Sequence, residues 1–141
     1  MKIEEIMTTD VETCPPTVTI QDIAAKMREI NVGSIPICEE GKIVGIVTDR
    51  DIVLRGIAEE LETDAPISEI FSETLITGTE EMLVEEAANL MAKHQIRRLP
   101  IVRQEQIVGI VSLGDIAIRG KAAHEAEIVL EKVSEPAKPR R

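Results

Sequence analysis

Aromatic side chains are almost missing from this sequence. Its 141 residues include no Trp, no Tyr and a single Phe, Phe71. Single-stranded nucleic acid is held by stacking bases on rings, and a methylated cation sits in an aromatic cage; neither mode is open here. Basic residues are also scarce. Sixteen Lys and Arg stand against 26 Asp and Glu, giving a net charge of −10. A nucleic-acid backbone is bound by displacing its counterions with Lys and Arg, so the balance argues against nucleic acid as a partner. Cysteine is limited to Cys14 and Cys38, too few for a secreted disulfide scaffold. No CxxC or His/Cys cluster has metal-site spacing, and His94 and His124 lie far apart. No apolar run approaches the length of a membrane span. The opening MKIEEIM carries acids where a secretory signal needs a basic segment and an apolar run. The expectation is a cytoplasmic protein with no metal and no membrane partner. Nucleophile elbow, P-loop and dinucleotide glycine patterns are absent as well, so an enzyme is not expected and no cofactor is required.

What the chain has is aliphatic residues and a repeat. Hydrophobic residues make up 43% of it, so the core must be built from Ile, Val, Leu, Ala and Met. Setting Pro36 against Pro100, an offset of 64 residues, aligns IPICEEGKIVGIVTDRDIVLRG with LPIVRQEQIVGIVSLGDIAIRG without a gap. Eleven of these 22 positions are identical, among them Ile43–Val47, Asp51, Ile52, Arg55 and Gly56. The protein is therefore two copies of one unit. We expect a first repeat over residues 1–62 with an N-terminal lead-in. A second follows over 63–133 with a long C-terminal helix, and 134–141 form a flexible tail.

Ile20, Ile23, Ala24, Met27 and Ile30 have helical spacing, with Thr19 and Asp22 placed as a capping box. Gly33 suits a left-handed helix stop. Two short β-branched runs, Ser34–Cys38 and Ile43–Thr48, read as a hairpin, and Asp49–Ile57 reads as helix. With a short extended piece at Val11–Cys14, the order is β-α-β-β-α. The second copy repeats it. There Leu83 occupies the cap position, which predicts that the helix starts a turn earlier, near Thr79. The IVGIV strand is nearly continuous and apolar, as expected of a strand buried on both faces. The expected fold class is α+β, with tandem βαββα repeats packed about a pseudo-twofold axis and a cleft per repeat. Leftover apolar surface would favour a homodimer.

The most informative repeated motif is G-I-V-[ST]-x-x-D, at Gly45–Asp51 and Gly109–Asp115. It places Thr48 or Ser112 at a strand end and Asp51 or Asp115 in the first turn of a helix. Two readings fit that spacing. One is a capping box with no ligand at all. The other is a ligand site in which the carboxylate takes ribose hydroxyls and the strand-end hydroxyl takes phosphate or an adenine edge.

The βαββα unit, its tandem duplication, [IL]-P-[IV] and G-I-V-[ST]-x-x-D resemble the CBS domain, named after cystathionine β-synthase. The resemblance covers about Glu5–Gly120 and is strongest to stand-alone bacterial and archaeal CBS pairs, the Bateman modules. It implies a regulatory module that binds an adenosine-containing ligand, such as AMP, ADP, ATP or S-adenosylmethionine, in the clefts between the repeats. It also implies roles for Asp51 and Asp115 on ribose and for Thr48 and Ser112 on phosphate or ribose. Gly33, Ser34 and Ile35, with Arg97, Arg98 and Leu99, would line the adenine pocket.

The two copies differ in charge at this motif. Arg97 and Arg98 replace Gly33 and Ser34, and a guanidinium fork is a good phosphate partner. Arg50 could supply such charge in the first copy. Cys14 and Cys38 end neighbouring strands and form a candidate redox pair, against the plain reading of two small buried thiols. The alternative function is a ligand-free dimeric scaffold or adaptor, tuned by oxidation of these cysteines. In either case the output passes to a protein partner that the sequence does not identify.

Overall fold

Helix α1 (Ile20–Ile30) starts where its sequence says it should. Thr19 Oγ1 accepts from the Asp22 N–H at 3.0 Å, and Asp22 Oδ2 accepts from the Thr19 N–H at 3.5 Å. This reciprocal cap satisfies donors that an open helix end leaves orphaned. The protein is seen here as a computed structural model that describes residues 1–71, 75–119 and 131–133. Along it follow β1 (Ser34–Glu39), β2 (Lys42–Thr48), α2 (Asp49–Asp51), α3 (Val84–His94), β3 (Arg98–Arg103), β4 (Gln106–Ser112) and α4 (Leu113–Arg119). α2 continues directly into a π-helical segment, Ile52–Ile57, whereas the matching α4 stays α-helical. Residues 120–130 of the expected long C-terminal helix, with His124, and the tail at 134–141 lie outside the described residues.

Both hairpins are antiparallel and share one register, with Ser34 opposite Thr48 and Arg98 opposite Ser112. Their two-residue turns have positive φ at both central positions, Glu40 (52°) with Gly41 (80°) and Gln104 (51°) with Glu105 (68°). That is the mirror-image turn whose twist matches paired strands. Ahead of each helix, the expected first strand shrinks to one residue. Cys14 pairs in parallel with Ile37 in the first copy, and Gly78 with Ile101 in the second.

Four local expectations are corrected. Gly33 is not the helix stop: Asn31 takes the left-handed conformation at φ 56°, and Gln95 does so in the second copy at φ 53°. Asn tolerates that region because its short side chain bonds locally. α3 does not begin near Thr79. Its cap residue is Leu83, which is extended and offers no side-chain acceptor. Instead the carbonyl of Met1 accepts from the Val84 N–H at 2.9 Å, so chain remote in sequence does the capping. The IVGIV strands are buried on one face only. Gly45 and Val47, like Gly109 and Val111, are buried, while Ile46 and Ile110 are half-buried.

The fourth correction concerns the units themselves. Glu12–Leu75 form one compact unit, and Met1–Val11 join the chain from Ile76 onward in the other. The lead-ins are thus exchanged between repeats. Ile67 and Ile70 are buried with Ile20, Ile23, Met27, Ile35, Ile37, Val47 and Ile52 in the first-repeat core. Ile3 and Ile6 are buried with Val84, Ala87, Ala88, Met91, Leu99, Ile101, Val111 and Ile116 in the second. The reason is local. Each lead-in makes a single 3-10 turn, Ile3–Glu5 or Ile67–Glu69, presenting two isoleucines that must leave water. Burying each is worth about 1.5–3 kcal/mol.

Candidate functional site

The strand-to-helix turn of each unit is built by the repeated motif. Thr48 ends β2 with extended backbone, and the chain then turns into α2. Thr48 Oγ1 accepts from the Asp51 N–H at 3.1 Å, while Asp51 Oδ2 accepts from the Thr48 N–H at 2.9 Å. Ser112 and Asp115 reproduce this at 3.1 and 2.8 Å. The capping box is therefore real in both copies. It uses one oxygen of each carboxylate. Oδ1 of Asp51 and of Asp115 has no hydrogen-bond partner among the described residues, and both side chains are half-buried.

A second strand brings further side chains to the same turn. The Asp49 N–H donates to the Gly33 carbonyl at 3.0 Å, and the Leu113 N–H to the Arg97 carbonyl at 2.9 Å. One backbone link thus holds the start of β1 or β3 against the start of the following helix. Gly33 makes a close approach: a Cβ there would lie 3.2 Å from Asp49 Oδ2, so the carboxylate would have to give by a few tenths of an ångström. Ser34 stands opposite Thr48, and Arg98 opposite Ser112; such cross-strand partners share a face. Ser34 Oγ is buried and has no hydrogen-bond partner, a condition that costs about 1–3 kcal/mol for a hydroxyl. Arg97 and Arg98 are exposed. Arg50 is exposed too and borders a shallow groove of ≈ 330 Å³ with Asp49, Val53 and Leu54.

Two of the expected pocket residues have buried side chains. Ile35 and Leu99 are 1% and 0% exposed, each inside its unit's aliphatic core, because they alternate inward along their strands. They offer no side-chain surface at the turn. The cysteines are not a pair. Cys14 stands opposite Ile37, so its side chain shares that residue's face and packs against the core. Cys38 is the next residue along β1 and points to the other face. Both thiols are free. Burial pushes both thiol pKa values up, opposed by the Lys26 charge at Cys14 and by a Thr13 hydrogen bond at Cys38. Fewer thiolates form, and reactivity falls accordingly. Among the described residues no three His, Cys, Asp or Glu side chains gather as a metal site. No helix there is long and apolar enough to cross a membrane.

Sequence reasoning missed three features: the Asp49 carboxylate against Gly33, the orphaned Ser34 hydroxyl, and Arg55. Arg55 Nη1 donates to the Ile70 carbonyl at 3.0 Å, tying the π-helical segment to the lead-in that completes the same core. Its identity with Arg119 across the repeats was the one signal available.

The family model described as CBS domain matches residues 3–56 and again 67–119. The chain belongs to the CBS-domain family. Pairs of CBS domains are regulatory modules, and this chain is one such pair. It is 46% identical over 132 residues to the CBS domain-containing protein YhcV of Bacillus subtilis, covering 94% of each chain. The solved structure of Hypoxic Response Protein I with two coordinated zinc ions superposes with a TM-score of 0.78 at 32% identity, over 84% of this chain and 98% of that one. The CBS domain pair of protein MJ0100, solved in complex with 5-methylthioadenosine and S-adenosyl-L-methionine, superposes with a TM-score of 0.75. It is 30% identical, over 83% of this chain and 93% of that chain. The mixed helix-and-strand architecture is that of CBS domain pairs.

Proposed function

We propose that this CBS pair is a sensor for an adenosine-containing ligand, AMP, ADP, ATP or S-adenosylmethionine, bound at the strand-to-helix turns. The observation that carries this reading is the spare oxygen on Asp51 and Asp115. A carboxylate that only capped a helix would need one oxygen; here a second acceptor remains, half-buried, beside a strand-end hydroxyl, in both copies. Two adjacent hydroxyls of a ribose are donors suited to it. The complex of the MJ0100 pair with two adenosyl compounds supports the ligand class. The reading includes a homodimer, favoured by exposed Val53, Leu54 and Ile57 of the first copy and Ile118 of the second. It also includes a protein partner that receives the signal, since a ligand acts only by favouring one of two states.

The test is scanning calorimetry with each nucleotide at millimolar concentration, because a chain without Trp or Tyr gives little intrinsic fluorescence. Bound ligand stabilises by mass action, by about 2.7 kcal/mol at a hundredfold excess over Kd. The paired substitution Asp51→Asn with Asp115→Asn keeps a carbonyl oxygen for the cap but removes the carboxylate. The expected result is an unchanged melting temperature without ligand and no rise with it. A second reading, a ligand-free scaffold, is favoured by the completeness of the two capping boxes. It predicts that no adenosyl compound moves the melting temperature of the wild-type chain.

A further inference from the structure

The matching turns of the two repeats carry different charge, and the difference lies against the motif. In the first copy the residues held together by the Gly33–Asp49 backbone link are Gly33, Ser34, Asp49 and Arg50, whose charges cancel. In the second, the Arg97–Leu113 link holds Arg97, Arg98, Leu113 and Gly114, which carry two positive charges and no negative one. The strand-end hydroxyl of each motif faces a different neighbour as well. Thr48 has Ser34 across the hairpin, and Ser112 has Arg98.

Arg97 and Arg98 are exposed and have neither an ion-paired nor a hydrogen-bonded side-chain partner among the described residues. Two adjacent exposed cations stand out in a chain of net charge −10. In the first copy, by contrast, the Asp49 carboxylate is fixed at the turn. Its Oδ1 accepts from the Arg50 N–H at 2.8 Å, and its Oδ2 lies against Gly33. A phosphate brought there would meet a carboxylate. One brought to the second copy would meet two guanidinium forks, whose paired donors match phosphate oxygens.

We infer that the two repeats divide adenosyl ligands by charge. The second-repeat turn takes a phosphorylated adenosine, with Arg97 and Arg98 on the phosphate. The first-repeat turn takes an adenosyl compound without phosphate, neutral or cationic. This rests on the adenosyl reading above and adds selectivity to it. A CBS pair built this way reads two ligand classes at once, so its state follows their ratio.

Isothermal titration calorimetry with ATP and with adenosine tests it, on the full chain and two variants. Arg97→Gln with Arg98→Gln removes both charges and keeps a polar side chain at exposed positions. Asp49→Leu copies the second-repeat residue into the first. In the double Gln variant ATP affinity falls by about tenfold or more, while adenosine affinity stays within about twofold, well under one such contact. Asp49→Leu leaves the second-repeat ATP site intact and admits ATP to the first, raising stoichiometry towards two. Higher ionic strength weakens ATP binding and spares adenosine, since these charges are exposed. An unchanged ratio of ATP to adenosine affinity in the double Gln variant overturns the charge division while leaving adenosyl binding standing. Wild-type protein that binds neither compound overturns both.

Discussion

Ser34 carries the sharpest statement at the scale of single residues. Its hydroxyl is buried with no hydrogen-bond partner, so it is a cost to the folded chain. Replacing an unsatisfied buried hydroxyl by hydrogen is neutral or favourable. Ser34→Ala is therefore expected to hold or raise stability, by up to about 1–2 kcal/mol, in urea unfolding followed by circular dichroism. A clear loss of stability would show that the hydroxyl has a structural bond. Asp51 and Asp115 differ from it in kind. Each is half used by the fold and half free, which is why spacing could not separate the cap from the ligand site. One oxygen of each carboxylate is engaged in the cap, and the other has no hydrogen-bond partner among the described residues. Cys14 and Cys38 show the opposite limit. Proximity in the strand order suggested a pair, but alternation along β1 sets them on opposite faces, and only the register with Ile37 reveals it.

Helices α1 and α3 occupy equivalent places and end alike, yet they begin differently. α1 has a side-chain capping box, whereas α3 has Leu83 at its cap and relies on the Met1 carbonyl and on chain from Ile3 to Met82. Leu83 is exposed, so nothing in the core holds it. With Glu86 three residues on, Leu83→Thr supplies the missing capping box. We expect it to stabilise the protein by about 1 kcal/mol, read as a raised denaturation midpoint at unchanged slope. The same substitution at a site that needed an apolar anchor would lower the midpoint. The π-helical winding of Ile52–Ile57, against α-helix in the second copy, follows from no pattern in IVLRGI that we can name.

For the whole molecule, the exchanged lead-ins decide what a local change does. Ile3 lies at the start of the first repeat in sequence but at the bottom of the second-repeat core. Ile3→Ala should cost about 2–5 kcal/mol, as cavity-forming substitutions of buried aliphatics do. The test is hydrogen exchange read by mass spectrometry. Loss of protection is expected in α3, β3 and β4, with Ile20–Ile30 and the first hairpin less affected. Loss confined to Ile20–Ile57 would contradict the exchange.

The duplication, the two hairpins, the α1 cap and the repeated motif were legible in the sequence because each rests on local spacing or on self-similarity at one offset. The CBS family followed from those same residues. The tertiary structure alone decided which core each lead-in completes, what caps α3, which way the cysteines face, and that the side chains of Ile35 and Leu99 lie in the cores. It also set Asp49 against Gly33 and Arg98 across from Ser112. All of these depend on pairing between segments far apart in the chain, where strand register and the burial of a few isoleucines choose among arrangements that the local pattern leaves equal.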